Sequence, residues 1–402
     1  MKPYKFSFAC PYCFDKHELN SMLFKCSHHE CDNIISVGKH EFLNLKYPKR
    51  CLYCKKGTIE IHCPNKNYGY TSGTEGIIPE DILKAGSLSV AMIGDDGAGK
   101  TCYAGALLAA LKYTFRRFFD DELTNADERS SRYFKECYYN PLFENHRLPS
   151  VNTGIGGDKI PVTFYLPITD DINKKLLGTF VFSFSPTNSE LISKTPEELS
   201  KMIPDTQIFS VDYICNSDAV ILVIDPLTIP PIGNSVRMCA EKLGDGELLK
   251  ICSPERPYSA DRILRAVIDI MRMEERFDEK RPKRIKKPLA IVFTKLDLLE
   301  KYYIPMSGSN RLHRESRHLE MRSYNRREHK ITAEEVTSLI VKNMGDETVE
   351  LIRQFENYSF FAVSALGEIP DADGKLPRPV TPKRVLDPVL WLLSDRGLIA
   401  RS

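Results

Sequence analysis

Gly94-Asp95-Asp96-Gly97-Ala98-Gly99-Lys100-Thr101 matches G-x-x-x-x-G-K-[ST] in full. The chemistry of such a loop is phosphate binding. Its glycines let successive backbone N–H groups turn inward around phosphate oxygens, and the helix behind adds a partial positive charge at its first turn, here at Cys102. Lys100 is placed to reach β- and γ-phosphates and Thr101 to hold Mg²⁺ through its hydroxyl. Asp95 and Asp96 run against this chemistry, because a carboxylate beside a polyphosphate repels it unless it points outward. A second cluster is made of sulfur. Seven of the twelve cysteines precede residue 64: Cys10 and Cys13 in a CxxC knuckle, Cys51 and Cys54 in another, with Cys26, Cys31 and Cys63 beside them. Two CxxC knuckles fit tetrahedral Zn²⁺. Their pairing is open at this point. Cys10, Cys13, Cys26 and Cys31 could form one site and Cys51, Cys54 and Cys63 an incomplete second one, since Lys66 stands where a further cysteine would complete it; His62, His28 or His29 could fill the gap. Alternatively Cys10, Cys13, Cys51 and Cys54 clamp a single ion.

These groups need elements to aim them. Leu88–Ile93 is a short apolar run that reads as a buried strand entering the loop, and Cys102–Phe119, rich in Ala and Leu, reads as the helix leaving it. From Ser87 onward strands alternate with helices, the pattern of a mostly parallel α/β sheet. Strands are expected at 160–166, 177–184, 219–224, 289–293 and 359–363. Helices are expected at 260–277, 333–356 and 385–393, the last carrying the single tryptophan, Trp391. Residues 120–132 read as exposed, 133–150 as irregular and 229–245 as an inserted loop. The expected organisation is a zinc module over 1–70, a linker over 71–86 with one helical turn, and an α/β domain over 87–402 with insertions near 120–150, 226–258 and 301–332.

Thr294-Lys295-Leu296-Asp297 directly follows one strand and Ser364-Ala365-Leu366 another, both at the strand ends where open α/β sheets bind ligands. With the phosphate loop upstream, these stretches resemble the [NT]KxD and SAx motifs of Ras-like P-loop GTPases. The resemblance implies that the Asp297 carboxylate accepts from guanine N1–H and its 2-amino group. It implies that the Lys295 stem lies along the base and that a backbone N–H near Ala365 meets O6. It also implies a D-x-x-G motif after the third strand, and here the chain departs from the class: Ser185 stands for the Asp and Asn188 for the Gly. Asp225 is a substitute in principle, though a structural strand-end role suits it better. Thr153 is the expected switch threonine for Mg²⁺ and γ-phosphate, and Glu190 the candidate for orienting water. Losing that Asp and the Gly N–H should cost turnover more than binding. Cys10-Pro-Tyr-Cys13, the phosphate loop, Phe184-Ser185-Pro186 and Ile221-Leu222-Val223-Ile224-Asp225-Pro226 together resemble the double-GTPase group of bacterial conflict-associated systems. That resemblance implies GTP/GDP, Mg²⁺ and Zn²⁺ as cofactors and a protein partner, another GTPase or an effector.

Composition narrows the rest. Net charge is +2 and charged residues make up 27%, so there is no global attraction to nucleic acid or membrane. No apolar run reaches the ~20 residues that span a bilayer, and residues 1–13 carry no apolar signal-peptide core. A reducing, cytoplasmic setting is expected, in which clustered cysteines serve metal. Two basic tracts, Lys280–Lys287 and Arg311–Arg327, flank the TKLD strand. Interspersed Asp and Glu mark them as solvated insertions, and the ribbon lacks a dense basic–aromatic surface, so protein contact is favoured over nucleic acid. The expected function is a guanine-nucleotide switch with slow or partner-stimulated hydrolysis. The alternative is a scaffold that binds nucleotide without turnover.

Overall fold

The computed structural model describes residues 7–10, 12–38, 41, 47–65, 77–119, 121–125, 128–149, 162–170, 173–184, 213–252, 260–274, 284–304, 311–320 and 322–402. The N-terminal module pairs β1 (Ser7–Ala9) with β2 (Lys16–Glu18). Beside them β3 (Leu23–Cys26) pairs antiparallel with β4 (Ile34–Ile35) and β5 (Ile59–His62). The larger part is one seven-stranded sheet of β6 (Ser87–Gly94), β7 (Thr124–Asn125), β8 (Val162–Thr169), β9 (Leu176–Phe184), β10 (Ala219–Ile224), β11 (Leu289–Phe293) and β12 (Tyr358–Ala362). Its order is β12-β11-β10-β6-β9-β8-β7. All neighbours from β12 through β9 run parallel, while β8 is antiparallel to β9 and the two-residue β7 is antiparallel to β8.

Without the short β7, the phosphate-loop strand β6 is central, the third long strand lies between it and the second, and the next three follow on its other side. The single antiparallel long strand is the second. That order, with a phosphate loop closing the first strand, is a Ras-like P-loop GTPase fold preceded by a small cysteine-rich module.

Side-chain alternation assigns the two faces of the sheet. Val90, Met92, Ile221, Val223, Phe180 and Phe182 face the helix Lys100–Phe118 and the closing helix Asp387–Asp395. Ala91, Ile93, Leu222, Ile291 and Phe293 face helices Pro230–Leu243 and Ala260–Glu274. On that second face, towards β8 and β9, the covering layer is the cysteine-rich module. Tyr165 and Val181 share a core with Phe8, Tyr12, Phe24, Ile61 and with Ile82 and Leu83 of helix Glu80–Ala85. The segment read as a linker is therefore packed at its C-terminal end, and the Tyr12 hydroxyl donates to the Ile77 carbonyl at 3.1 Å.

Several local expectations are corrected. The 229–245 stretch is a helix, because Pro230 and Pro231 occupy its first turn, where no amide donor is needed and φ is already helical. Residues 133–144 are not irregular: helix Glu128–Phe134 runs into a π-helical stretch, Lys135–Glu144, whose wider turn accommodates Pro141, and only 145–149 are without regular structure. The 120–132 stretch is not wholly exposed, since Asp121 is buried and accepts from the Thr169 hydroxyl at 2.7 Å. The helix expected over 333–356 is two, Arg326–Leu339 and Asp346–Ile352.

The second basic tract is partly absorbed into structure. Arg384, buried, donates to Glu328 at 2.8 Å, to Asp387 at 2.9 Å and to the Arg311 carbonyl at 2.8 Å. Lys383 reaches the His313 carbonyl at 2.9 Å. Arg314, Arg322, Arg326 and Arg327 stay exposed. Of the first tract, Lys287 donates to the Ile214 and Cys215 carbonyls at 2.8 and 2.6 Å, while Lys280, Arg281 and Lys283 lie outside the described residues.

Beside this network the His329 ring stacks on Phe361 and bonds Ser359 at 3.0 Å. Burial disfavours its charged form and lowers its pKa to about 4. Between the ordinary imidazole value of 6.5 and about 4, the unfolded chain binds more protons at this site than the folded one. Stability contributed here is therefore present above pH 6.5 and lost as pH falls towards 4. Urea midpoints at pH 7 and 4.5 should separate less for His329→Gln than for wild type; equal separations would refute this.

Candidate functional site

Three loops meet at the C-terminal ends of β6, β11 and β12. Gly94 is required at the first: its φ is +155°, and a Cβ there would lie 2.3 Å from the Val223 carbonyl oxygen of the adjacent strand. The loop closes with Ala98 N–H on the Asp95 carbonyl at 3.2 Å, and the helix begins at Lys100 behind Gly99, whose φ is +88°. Lys100 bridges its own loop, donating to the Gly94 and Asp95 carbonyls, each at 2.7 Å. Burial lowers its pKa, and Asp96 and Asp95 oppose that shift. Such an ammonium, desolvated and held by loop carbonyls, is suited to exchange them for phosphate oxygens. Both aspartates remain within electrostatic reach of that ammonium. Asp96 is exposed, 3.9 Å from the Lys100 ammonium, and Asp95 accepts from the Asp96 N–H at 2.9 Å.

The TKLD segment is bolted to the phosphate loop. The Thr294 hydroxyl donates to the Ala98 carbonyl at 2.8 Å. Lys295 takes a left-handed backbone, φ 56°, at the start of helix Leu296–Tyr302, and its ammonium pairs with buried Asp225. Asp225 also accepts from the Leu227 N–H at 3.0 Å, the structural strand-end role. The Leu296 N–H bonds the Val363 carbonyl at 3.0 Å, joining TKLD to the SAL loop. There the Ser364 hydroxyl donates to Asp297 at 2.6 Å and accepts from the Gly367 N–H at 2.9 Å. Burial raises the Asp297 pKa, and the Ser364 bond counters it. A backbone ladder between Ser364 and Lys383 completes the SAL loop. Gly94 to Cys102, Thr294, Lys295, Asp297, Ser364, Ala365 and Leu366 thus lie on one contiguous rim. Thr153, Ser185, Asn188 and Glu190 lie outside the described residues.

The cysteines resolve into two clusters, Cys10–Cys13–His17–Cys63 and Cys26–Cys31–Cys51–Cys54. Neither sequence pairing is the one formed. All seven cysteines take part, each knuckle serves a different cluster, and the missing ligand is His17 rather than His62, His28 or His29. A C-x₂-C-x₃-H spacing was the available signal. The reason lies in the sheets: β3 pairs with β5, which brings Cys26 beside the 51–54 knuckle, while Cys63 leaves β5 towards the other end.

The donor set fits zinc. Four ligands about 2.3 Å from one ion space sulfurs ~3.8 Å apart. The observed Sγ–Sγ separations are 3.5 Å (Cys13–Cys63), 3.5 Å (Cys26–Cys54) and 3.7 Å (Cys31–Cys51), and His17 Nε2 lies 3.1 Å from Cys13 Sγ. Knuckle amides favour the thiolate: the Cys54 N–H holds the Cys51 pKa at about 6. Gly57 presses on the second cluster, where a Cβ would lie 2.4 Å from Cys26 Sγ and 2.8 Å from the His28 amide nitrogen. Gly57→Ala is therefore expected to weaken one of two zinc sites about 10- to 100-fold. Competition with a chromophoric chelator would read this, and two wild-type affinities would refute it.

The chain matches no protein-family model and no curated sequence. Among solved structures it is similar to the GTP-bound GTPase-like domain of S. cerevisiae Ski7, at 13% identity and TM-score 0.28 over 77% of this chain and 50% of that one. It is also similar to the signal recognition particle receptor SRb-GTP/SRX complex of Chaetomium thermophilum, at 14% identity and TM-score 0.28 over 71% and 94%. The chain spans half the length of the Ski7 chain. Strand order and the loop that closes β6 define the Ras-like P-loop fold. No described helix is long and apolar enough to cross a membrane.

Proposed function

We propose that the chain is a guanine-nucleotide-binding switch whose zinc module contacts a protein partner. The observation that carries this reading is the Asp297 carboxylate, oriented by Ser364 on a segment that Thr294 ties to the phosphate loop. One oxygen is engaged by Ser364, and the group retains acceptor capacity for guanine N1–H and the 2-amino group, donors that adenine does not present there. Lys100 and the loop amides bind the β- and γ-phosphates, and Thr101, with Thr153 from the first switch, holds Mg²⁺. Glu190 is the proposed water-orienting residue. The sequence likeness to the conflict-associated double-GTPase group supplies the setting: a bacterial defence-type system in which the nucleotide state is read by another GTPase or an effector.

Turnover is slow or partner-dependent in this reading, because Ser185 stands where the class has its Mg²⁺-holding aspartate. Asp225 is engaged by Lys295 and Leu227, which favours a second reading, a scaffold that binds nucleotide without hydrolysis. Calorimetric titration of GTP, GDP and ATP with Mg²⁺ tests the first claim: guanine nucleotides should bind and ATP should not. Single-turnover phosphate release above the buffer background would then exclude the scaffold.

A further inference from the structure

The first metal cluster and the phosphate loop are linked by two aromatic side chains. Phe14 follows Cys13 in the knuckle, in a left-handed backbone with φ 60° that a phenylalanine adopts only when its surroundings impose it. Its side chain leaves the module and enters the core of the α/β domain, 5% exposed. There it packs on Tyr213, ring centroids 4.9 Å apart at 60°. Tyr213 is 2% exposed and places its hydroxyl between two strands of the sheet. The hydroxyl accepts from the Met92 N–H of β6 at 2.7 Å and donates to the Ser183 carbonyl of β9 at 2.8 Å.

That position decides what the contact can do. The parallel ladder between β6 and β9 runs from Ser87↔Thr179 to Val90↔Phe182. Immediately beyond it, the Tyr213 hydroxyl stands in as the bridge. Met92 is two residues before Gly94, where the phosphate loop starts, and Ser183 is two before Ser185, where the third nucleotide motif should stand. The hydroxyl thus sets the separation of both strands at the point where each hands over to a nucleotide loop. Phe14 sets the ring, and the Cys10–Cys13–His17–Cys63 cluster sets Phe14.

We infer that Phe14 and Tyr213 are positioning residues through which metal in the first cluster raises nucleotide affinity. The inference rests on the zinc and nucleotide readings above. Linkage makes it reciprocal: nucleotide must raise the first cluster's affinity for metal by the same factor that metal tightens nucleotide, and coupling of this kind is usually about fivefold or more. The cysteines of both clusters lie in one core with Phe24 and Ile59, and Phe14, next to Cys13 of the first cluster, is the module residue that reaches the core holding Tyr213.

The test uses the full chain and two conservative variants, Tyr213→Phe, which keeps the ring on Phe14, and Phe14→Leu, which keeps apolar bulk. Both are expected to retain two zinc ions. Tyr213→Phe should bind GDP at least about fivefold more weakly, and in equilibrium competition with a chelator saturating GDP should raise the affinity of one of two zinc sites in wild type but not in either variant. A purely structural role would not produce that nucleotide-dependent difference. Amide hydrogen exchange without nucleotide adds a second reading: residues 93–97 should exchange faster in both variants. If wild type binds no nucleotide, the functional reading fails, and the exchange result alone decides the coupling. Unchanged exchange at 93–97 in both variants, or unchanged GDP affinity in Tyr213→Phe, would overturn it.

Discussion

Cys63→Ser, or prolonged exposure of the wild-type chain to a strong chelator, is expected to unfold the N-terminal module. Between residues 7 and 65 the buried apolar side chains are few, chiefly Phe8, Tyr12, Met22, Phe24, Val37, Ile59 and Ile61, and the strands are two to four residues long. A core of that size rarely stabilises a fold by more than about 3–5 kcal/mol. A structural zinc contributes on the order of 10–16 kcal/mol of apparent binding free energy, available only to the folded ligand set. Metal therefore dominates. Cys63 belongs to the cluster nearest the α/β domain, and its loss leaves Cys10, Cys13 and His17 with three ligands. The zinc content should fall below two per chain, and trypsin should cut within 7–65 under conditions where wild type is resistant. Because Tyr165 and Val181 lie beneath the module, binding of a hydrophobic dye should rise as well. An unchanged proteolytic pattern in the variant would show that side-chain packing alone sustains the module.

The second large effect is expected at the base. Asp297→Asn keeps the volume and the Ser364 neighbour but replaces one acceptor oxygen by an amide donor. Two charge-assisted hydrogen bonds to guanine contribute about 1.5–3 kcal/mol each, so guanine nucleotide should bind about 100-fold more weakly or worse. Xanthine presents an acceptor where guanine presents its 2-amino donor, so xanthine nucleotide should gain affinity in the variant. Competition between GDP and XDP for a fluorescent nucleotide reads both shifts at once. Parallel loss for both bases would indicate a collapsed loop, and an unchanged preference would remove Asp297 from base reading altogether. Ser364→Ala supplies the graded control: the carboxylate remains but loses the 2.6 Å bond that aims it, so the loss should be smaller and the preference for guanine should persist.

Local chemistry was legible in the sequence by itself. The phosphate loop needs glycines, Lys100 and Thr101 within eight consecutive residues between an apolar strand and a helix, and that pattern is complete along the chain. The alternation of strands with helices specified a mostly parallel sheet, and strand-end placement marked TKLD and SAL as partners before any distance was known. The seven clustered cysteines were also recognisable as candidate metal ligands, since two CxxC knuckles match the ligand spacing of a tetrahedral site. What could not be read was anything set by contacts between residues far apart in the chain. The pairing of cysteines followed from β3 lying beside β5, and His17 entered because its knuckle folded back on Cys63 from 46 residues away. The helix at Pro230–Leu243 was hidden by prolines that mark a beginning as readily as a break. The docking of the zinc module on β8 and β9, and the Phe14–Tyr213 contact that reaches β6, depend on side chains that look like ordinary core residues in the sequence. Only the closed tertiary structure decided which core each of them joined.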